Sequence, residues 1–190
     1  MVGVLEKSNE YNDEDTGEHI VRVGLYSKLL AELYGCSEGF IYEVGKFASL
    51  HDVGKVAISD SILKKRGKLT KEAFEAMKKH VATGYELICG ARLGSVAENI
   101  VRYHHEKWNG GGYLEGLQGD EIPLEARIVA LVDVYDALRQ ERSYKPAFSH
   151  ERSIEIIQEE RGEHFDPLLV DIFLDNHRKF EEIYTEDSMV

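Results

Sequence analysis

The sequence predicts one all-α domain, a compact bundle of about seven helices. Apolar residues recur at helical spacing along most of the chain, and no segment alternates as a strand would. Only 3 prolines interrupt the 190 residues, and no internal repeat or low-complexity tract appears.

The first helix is EHIVRVGLYSKLLAELYG, residues 18–35, where Ile20, Val23, Tyr26, Leu30 and Leu33 share a face and Gly35 provides the stop. Residues 40–55, FIYEVGKFASLHDVGK, read as a second, largely buried helix. The connector ISDSILKKRGKL, 58–69, is rich in turn formers and lysines. Thr70 caps a third helix whose inner face is Ala73, Met77, His80, Gly84 and Leu87. GSVAENIVRYHH, 94–105, makes the fourth and leads into a glycine-rich loop, 107–122. Pro123 fits the first turn of a fifth, PLEARIVALVDVYDALR. Residues 149–162 form a short sixth helix. Residues 165–184 form a seventh, with Asp166 as N-cap and Pro167 at the first helical position. Residues 1–14 are an acidic lead-in, 15–184 the domain, and 185–190 a flexible tail.

No run of about 18 apolar residues exists, so no transmembrane helix is expected. The N-terminus MVGVLEKSNEYNDEDTG turns acidic too soon for a secretory signal or transit peptide. Cys36 and Cys89 lie far apart and outside any CxxC pattern, which points away from a disulfide framework and toward the cytoplasm. A formal net charge of −12 argues against a DNA or RNA duplex and against an anionic membrane as partner. A phosphorylated small molecule still fits, provided metal ions and a few local cations offset the charge.

Five of the 8 histidines fall in or at the ends of expected helices: His19, His51, His80, His104 and His105. Asp133 sits on a strongly apolar helix, where an unpaired carboxylate would be costly. Nitrogen and carboxylate donors together suit iron, manganese, nickel or zinc rather than calcium. Neighbouring helical residues point about 100° apart, so His51 and Asp52 serve one ion poorly. His51 would bind one metal while the Asp52 carboxylate bridges to a second, and His104 and His105 divide in the same way. Asp15 and His19 share a face if the helix already begins at Asp15, giving a site for a further ion. Taken singly, His80 reads as a core residue and Asp15 as a helix N-terminal acid. Only the set as a whole argues for metal. His150, His164 and His177 read as solvent or capping residues and Cys89 as core. Trp108 and Tyr113 flank the glycine loop, where they either stack on a base or pack the loop.

With HDVGK and HHEKWNGGGYLEGL in hand, the sequence resembles the HD-GYP family of HD metal-dependent phosphohydrolases. TGEHIVRV, KKHVATGYELI, EIPLEARIVALVDVYDAL, RSYKP and HFDP follow in the family's order. The resemblance implies an HD-domain-like bundle around two or three divalent metals, and hydrolysis of cyclic di-GMP, or a related cyclic dinucleotide, to pGpG and in some members GMP. It assigns His51, Asp52, His80, His104, His105 and Asp133 as metal ligands, with His19 as the first-helix histidine. Asp15 stands where three-metal members have a glutamate. Lys55 matches the lysine near the scissile phosphate. Tyr113, Asp136, Arg142 and Lys145 match nucleotide contacts. The family's Gly-Tyr-Pro reads Gly112-Tyr113-Leu114 here, which frees φ and restores an N–H donor at that position.

The implied mechanism is attack by a metal-bridging hydroxide, with Lys55 and the metals absorbing charge on the leaving oxygen. Arg142 and Lys145 would hold the distal phosphate. One rival reading keeps the fold as a cyclic di-GMP receptor with weak turnover; another is a different HD-type nucleotide phosphohydrolase. Family members commonly carry a sensory or receiver domain upstream, and residues 1–14 contain none, so the chain reads as an excised fragment or a stand-alone enzyme. A homodimer is compatible with the sequence.

Overall fold

Nine α-helices and no strand run through the described residues of the computed structural model, which are 17–65, 67–141 and 146–187. In chain order they are α1 Gly17–Tyr34, α2 Glu38–Phe47, α3 Asp60–Leu63, α4 Lys71–Ala91, α5 Ser95–Tyr103, α6 Leu124–Arg139, α7 His150–Glu159, α8 Pro167–Asp175 and α9 His177–Asp187. Asp15, Arg142 and Lys145 lie outside the described residues.

Helix α6 is buried or half-buried along its whole length, and Ala126, Ile128, Val129, Leu131, Val132 and Tyr135 are all buried. Such a helix belongs at the centre of a bundle. Helix α1 packs beside it and also meets α2, α8 and α9. Tyr26, Tyr135, Phe173 and Phe180 form an aromatic cluster where α1, α6, α8 and α9 meet, with Tyr26 and Tyr135 edge to face at 5.4 Å. No helix of the described residues is long and apolar enough to cross a membrane.

The expected helix over 40–55 is not continuous. Helix α2 ends at Phe47, and the chain tightens into 3-10 turns at Ala48–Leu50 and Val53–Ala57. Gly54 there lies against the backbone of α4, where a Cβ would fall on the carbonyl oxygen of His80. A continued α-helix has no path through that contact. Helix α4 starts as expected, with the Thr70 hydroxyl accepting from the Ala73 N–H at 3.2 Å. Its buried face is His80, Val81, Gly84 and Ile88, while Leu87, expected inside, is 38% exposed.

The expected helix over 165–184 is two helices. The Asn176 side chain donates to the Ile172 carbonyl at 3.0 Å and competes with the helical ladder, so the chain breaks and restarts at His177. The expected tail is helical as far as Asp187. His150 is a core residue rather than a solvent or capping one. It is buried, its Nδ1 lies 2.9 Å from the Tyr135 hydroxyl and its Nε2 lies 2.9 Å from His177 Nδ1. The cap of α7 is Ser149. Cys89 is only partly buried, as is Cys36, and both are free thiols.

Candidate metal centre

Four histidines reach the centre in the same way, with one ring nitrogen tied back and the other pointing inward. His51 Nδ1 lies 2.8 Å from the Ala48 carbonyl, His80 Nδ1 2.7 Å from that of Met77, and His104 Nδ1 3.0 Å from that of Ile100. Each partner is a carbonyl three or four residues earlier in the same helical turn. His19 Nδ1 is held instead by Asp136 Oδ2 at 2.7 Å. Such anchors fix ring orientation and direct Nε2 into the centre as a lone-pair donor.

The inward atoms fall into two groups. Ligand atoms of His19, His51 and Asp133 lie within 4.8 Å of one another, and so do those of Asp52, His80, His104 and His105. Asp52 joins them. Its Oδ1 is 3.1 Å from His80 Nε2 and 3.6 Å from His104 Nε2, while its Oδ2 is 3.2 Å from His51 Nε2 and 2.7 Å from Lys55 Nζ. Asp133 Oδ1 lies 3.5 Å from His19 Nε2 and 3.7 Å from His51 Nε2. The 3-10 turn makes the division possible: it sends the adjacent side chains 51 and 52 to different groups.

These residues fit divalent transition metals. The Nε2 atoms of His51, His80 and His104 and Oδ1 of Asp52 are buried without a properly formed hydrogen bond. Protein interiors rarely leave such atoms unsatisfied unless an ion or water takes them. The electrostatics agree. Burial and the neighbouring His104 hold His105 well below the ordinary imidazole pKa, and burial also lowers His104, so both are neutral donors. Burial opposes ionisation of Asp52, yet Lys55 and His51 hold its carboxyl well below the usual range. Burial likewise disfavours a charged His51, but the Asp52 carboxylate raises it to about 9 without metal.

The open side carries Lys55, Asp133, His105 and Tyr113. Tyr113 stacks on the His105 ring with centroids 4.7 Å apart. Asp136 does not face this side. It is fully buried, and its oxygens accept from Arg22 Nε at 2.7 Å and Gln140 Nε2 at 2.6 Å besides holding His19. In this structure its place is beneath the candidate ligands, where it holds His19.

Glu106 escaped the sequence reading. Buried at 2% exposure, its Oε1 accepts from the Glu115 N–H at 2.7 Å, and the Gly116 N–H reaches both of its oxygens at 3.1 Å. The glycine loop is closed by this carboxylate, directly after the two histidines. Gly112 lets the loop return, since a Cβ there would meet the Glu106 backbone at 2.5 Å. The one available signal was an acid ending an apolar run.

The HD domain family model matches residues 16–169. The chain belongs to the HD domain family. This HD domain is 46% identical over 189 residues to a cyclic di-GMP phosphodiesterase of Vibrio cholerae, covering 92% of this chain and 38% of that protein. It is 44% identical over 182 residues to the 3′3′-cGAMP-specific phosphodiesterase 2 of the same organism, covering 95% and 35%. It is 42% identical to the cyclic di-GMP phosphodiesterase response regulator RpfG of Xanthomonas campestris, covering 94% and 48%. The chain thus spans between about a third and a half of these relatives. The HD domain of PgpH from L. monocytogenes, solved with cyclic di-AMP, superposes with a TM-score of 0.68 at 17% identity, covering 98% of this chain and 96% of that one. A likeness at that identity speaks for the fold. The resemblance read from HDVGK and HHEKWNGGGY is borne out.

Proposed function

We propose that this HD domain is a metal-dependent phosphodiesterase that hydrolyses cyclic di-GMP to pGpG and onward to GMP. The observation that carries the reading is the pair of ligand groups joined through Asp52. The names of the relatives point to cyclic dinucleotides as the substrate class.

Bound iron or manganese would supply an acidified water and neutralise charge on the phosphate. The protein's own residues do the remainder. The anchored histidines keep their donor atoms in place, so little reorganisation accompanies each cycle. Lys55, beside the Asp52 carboxylate and 16% exposed, is placed to offset negative charge developing on the leaving oxygen. Tyr113 covers the His105 ring and limits water on that side. Arg142 and Lys145 would grip the second phosphate.

Product analysis tests this. Protein purified without oxygen and loaded with ferrous iron or manganese should convert cyclic di-GMP to pGpG and then GMP on chromatography. Asp52→Ala and His105→Ala should lower the rate by about 10³ or more. Metal and nucleotide binding without turnover would replace this reading with that of a receptor.

A further inference from the structure

Helices α7 and α9 carry none of the ligands grouped above, yet their first residues bring two imidazoles together nitrogen to nitrogen. His150 Nε2 lies 2.9 Å from His177 Nδ1. His150 is buried, and its other nitrogen, Nδ1, is 2.9 Å from the Tyr135 hydroxyl on α6. A carboxylate joins the pair, with Glu181 Oε2 3.7 Å from the same His150 Nε2. His177 and Glu181 stand four residues apart on α9, so they share one face of that helix.

We infer that His150, His177 and Glu181 form a further metal site, suited to zinc or a similar divalent transition ion. A neutral imidazole carries one proton and one lone pair on its two nitrogens. With the His150 proton on Nδ1, donated to the Tyr135 hydroxyl, and the His177 proton on Nε2, the two facing nitrogens are both lone pairs. An ion between them satisfies both. The arrangement repeats that of the candidate centre, where one nitrogen of each ring is tied back and the other is left to ligate. A plain hydrogen bond between the rings has no need of an acid beside the shared nitrogen. Among the charges around His150 the Glu181 carboxylate acts most strongly, ahead of the Arg139 guanidinium, so a cation here meets its counter-charge. Glu181 is half-exposed, and a change of rotamer brings its carboxylate round to complete the set. Imidazole and carboxylate together favour zinc or nickel over magnesium and calcium, and three protein ligands leave a position for water. Such an ion would clasp α9 onto the start of α7.

The test is equilibrium dialysis of the whole chain against zinc, with bound metal counted per chain. Wild type should hold one zinc more than His177→Ala. Glu181→Gln, a change at a half-exposed side chain that leaves the core alone, should keep this ion but weaken its binding about tenfold or more. His104→Ala should lose metal from the candidate centre and keep the ion between α7 and α9. Saturating zinc should raise the unfolding midpoint of wild type by about 5 °C more than that of His177→Ala, and magnesium should leave the two alike. Equal zinc content and affinity in wild type, His177→Ala and Glu181→Gln would overturn the site and leave the two rings as a hydrogen-bonded pair. Should His177→Ala fail to fold, unchanged zinc affinity in Glu181→Gln overturns the site by itself.

Discussion

Asp136 and Glu106 never point at the space between the ligands, yet each sets the position of something that does. Asp136 ties down His19 Nδ1 while Arg22 fixes its other oxygen. Replacing it by Asn keeps the shape and removes the charge. Asp136→Asn should weaken metal binding by about 10–100-fold, read by metal titration. It should also cost about 3 kcal/mol in unfolding, because the buried Arg22 guanidinium loses its buried counter-charge, and Glu18 is more distant at 3.6 Å and exposed. Glu106 acts on the loop instead. Its carboxylate takes the N–H groups of Glu115 and Gly116, so closure does not depend on which residue stands at 114. Leu114, where the family motif has proline, is 48% exposed and leaves the ligand positions alone.

At the scale of helices, the centre depends on how closely α4 can approach the HDVGK turn. Gly54 and Gly84 make that approach: a Cβ on Gly84 would lie 3.2 Å from Gly54 N and 2.7 Å from a methyl of Val101. Gly54→Ala meets rigid backbone and should destabilise by about 3 kcal/mol or more, whereas Gly84→Ala meets a side chain that can shift and should cost about 1–3 kcal/mol. Urea unfolding of the two variants, with metal content measured alongside, checks the order. The same contact explains why sequence periodicity was a partial guide. Thr70 as a cap, Pro123 at the head of α6 and Asp166 before Pro167 are local signals, and they hold. The break of the helix expected over 40–55 comes from a glycine meeting a backbone some thirty residues away, which no local window sees. His150 was misread for the same reason, since its partners Tyr135 and His177 come from other helices. The candidate ligands were legible because two adjacent pairs, His51-Asp52 and His104-His105, announce themselves in the chain. Asp136 and Glu106, single acids with distant partners, do not.

For the molecule as a whole, acid should loosen the bundle at His164. Burial, with Lys107 adding to it, lowers its pKa to about 4, against about 6.5 in the unfolded chain. A depressed folded-state value means that the unfolded chain binds the proton first. The contribution is complete above about pH 6.5 and is lost as pH falls toward 4. His164→Gln should remove about 1–2 kcal/mol of that dependence, solvent access trimming the full value. The comparison is of urea midpoints for wild type and variant at pH 7 and pH 4.5. The division of ligands has a different kind of consequence. His19, His51 and Asp133 sit on α1, the HDVGK turn and α6, whereas His80, His104 and His105 sit on α4 and at the end of α5. Asp52 is the hinge of the arrangement. With the α4 and α5 histidines replaced, His19, His51 and Asp133 would still stand as one candidate group, with the Asp52 carboxylate 3.2 Å from His51 beside it.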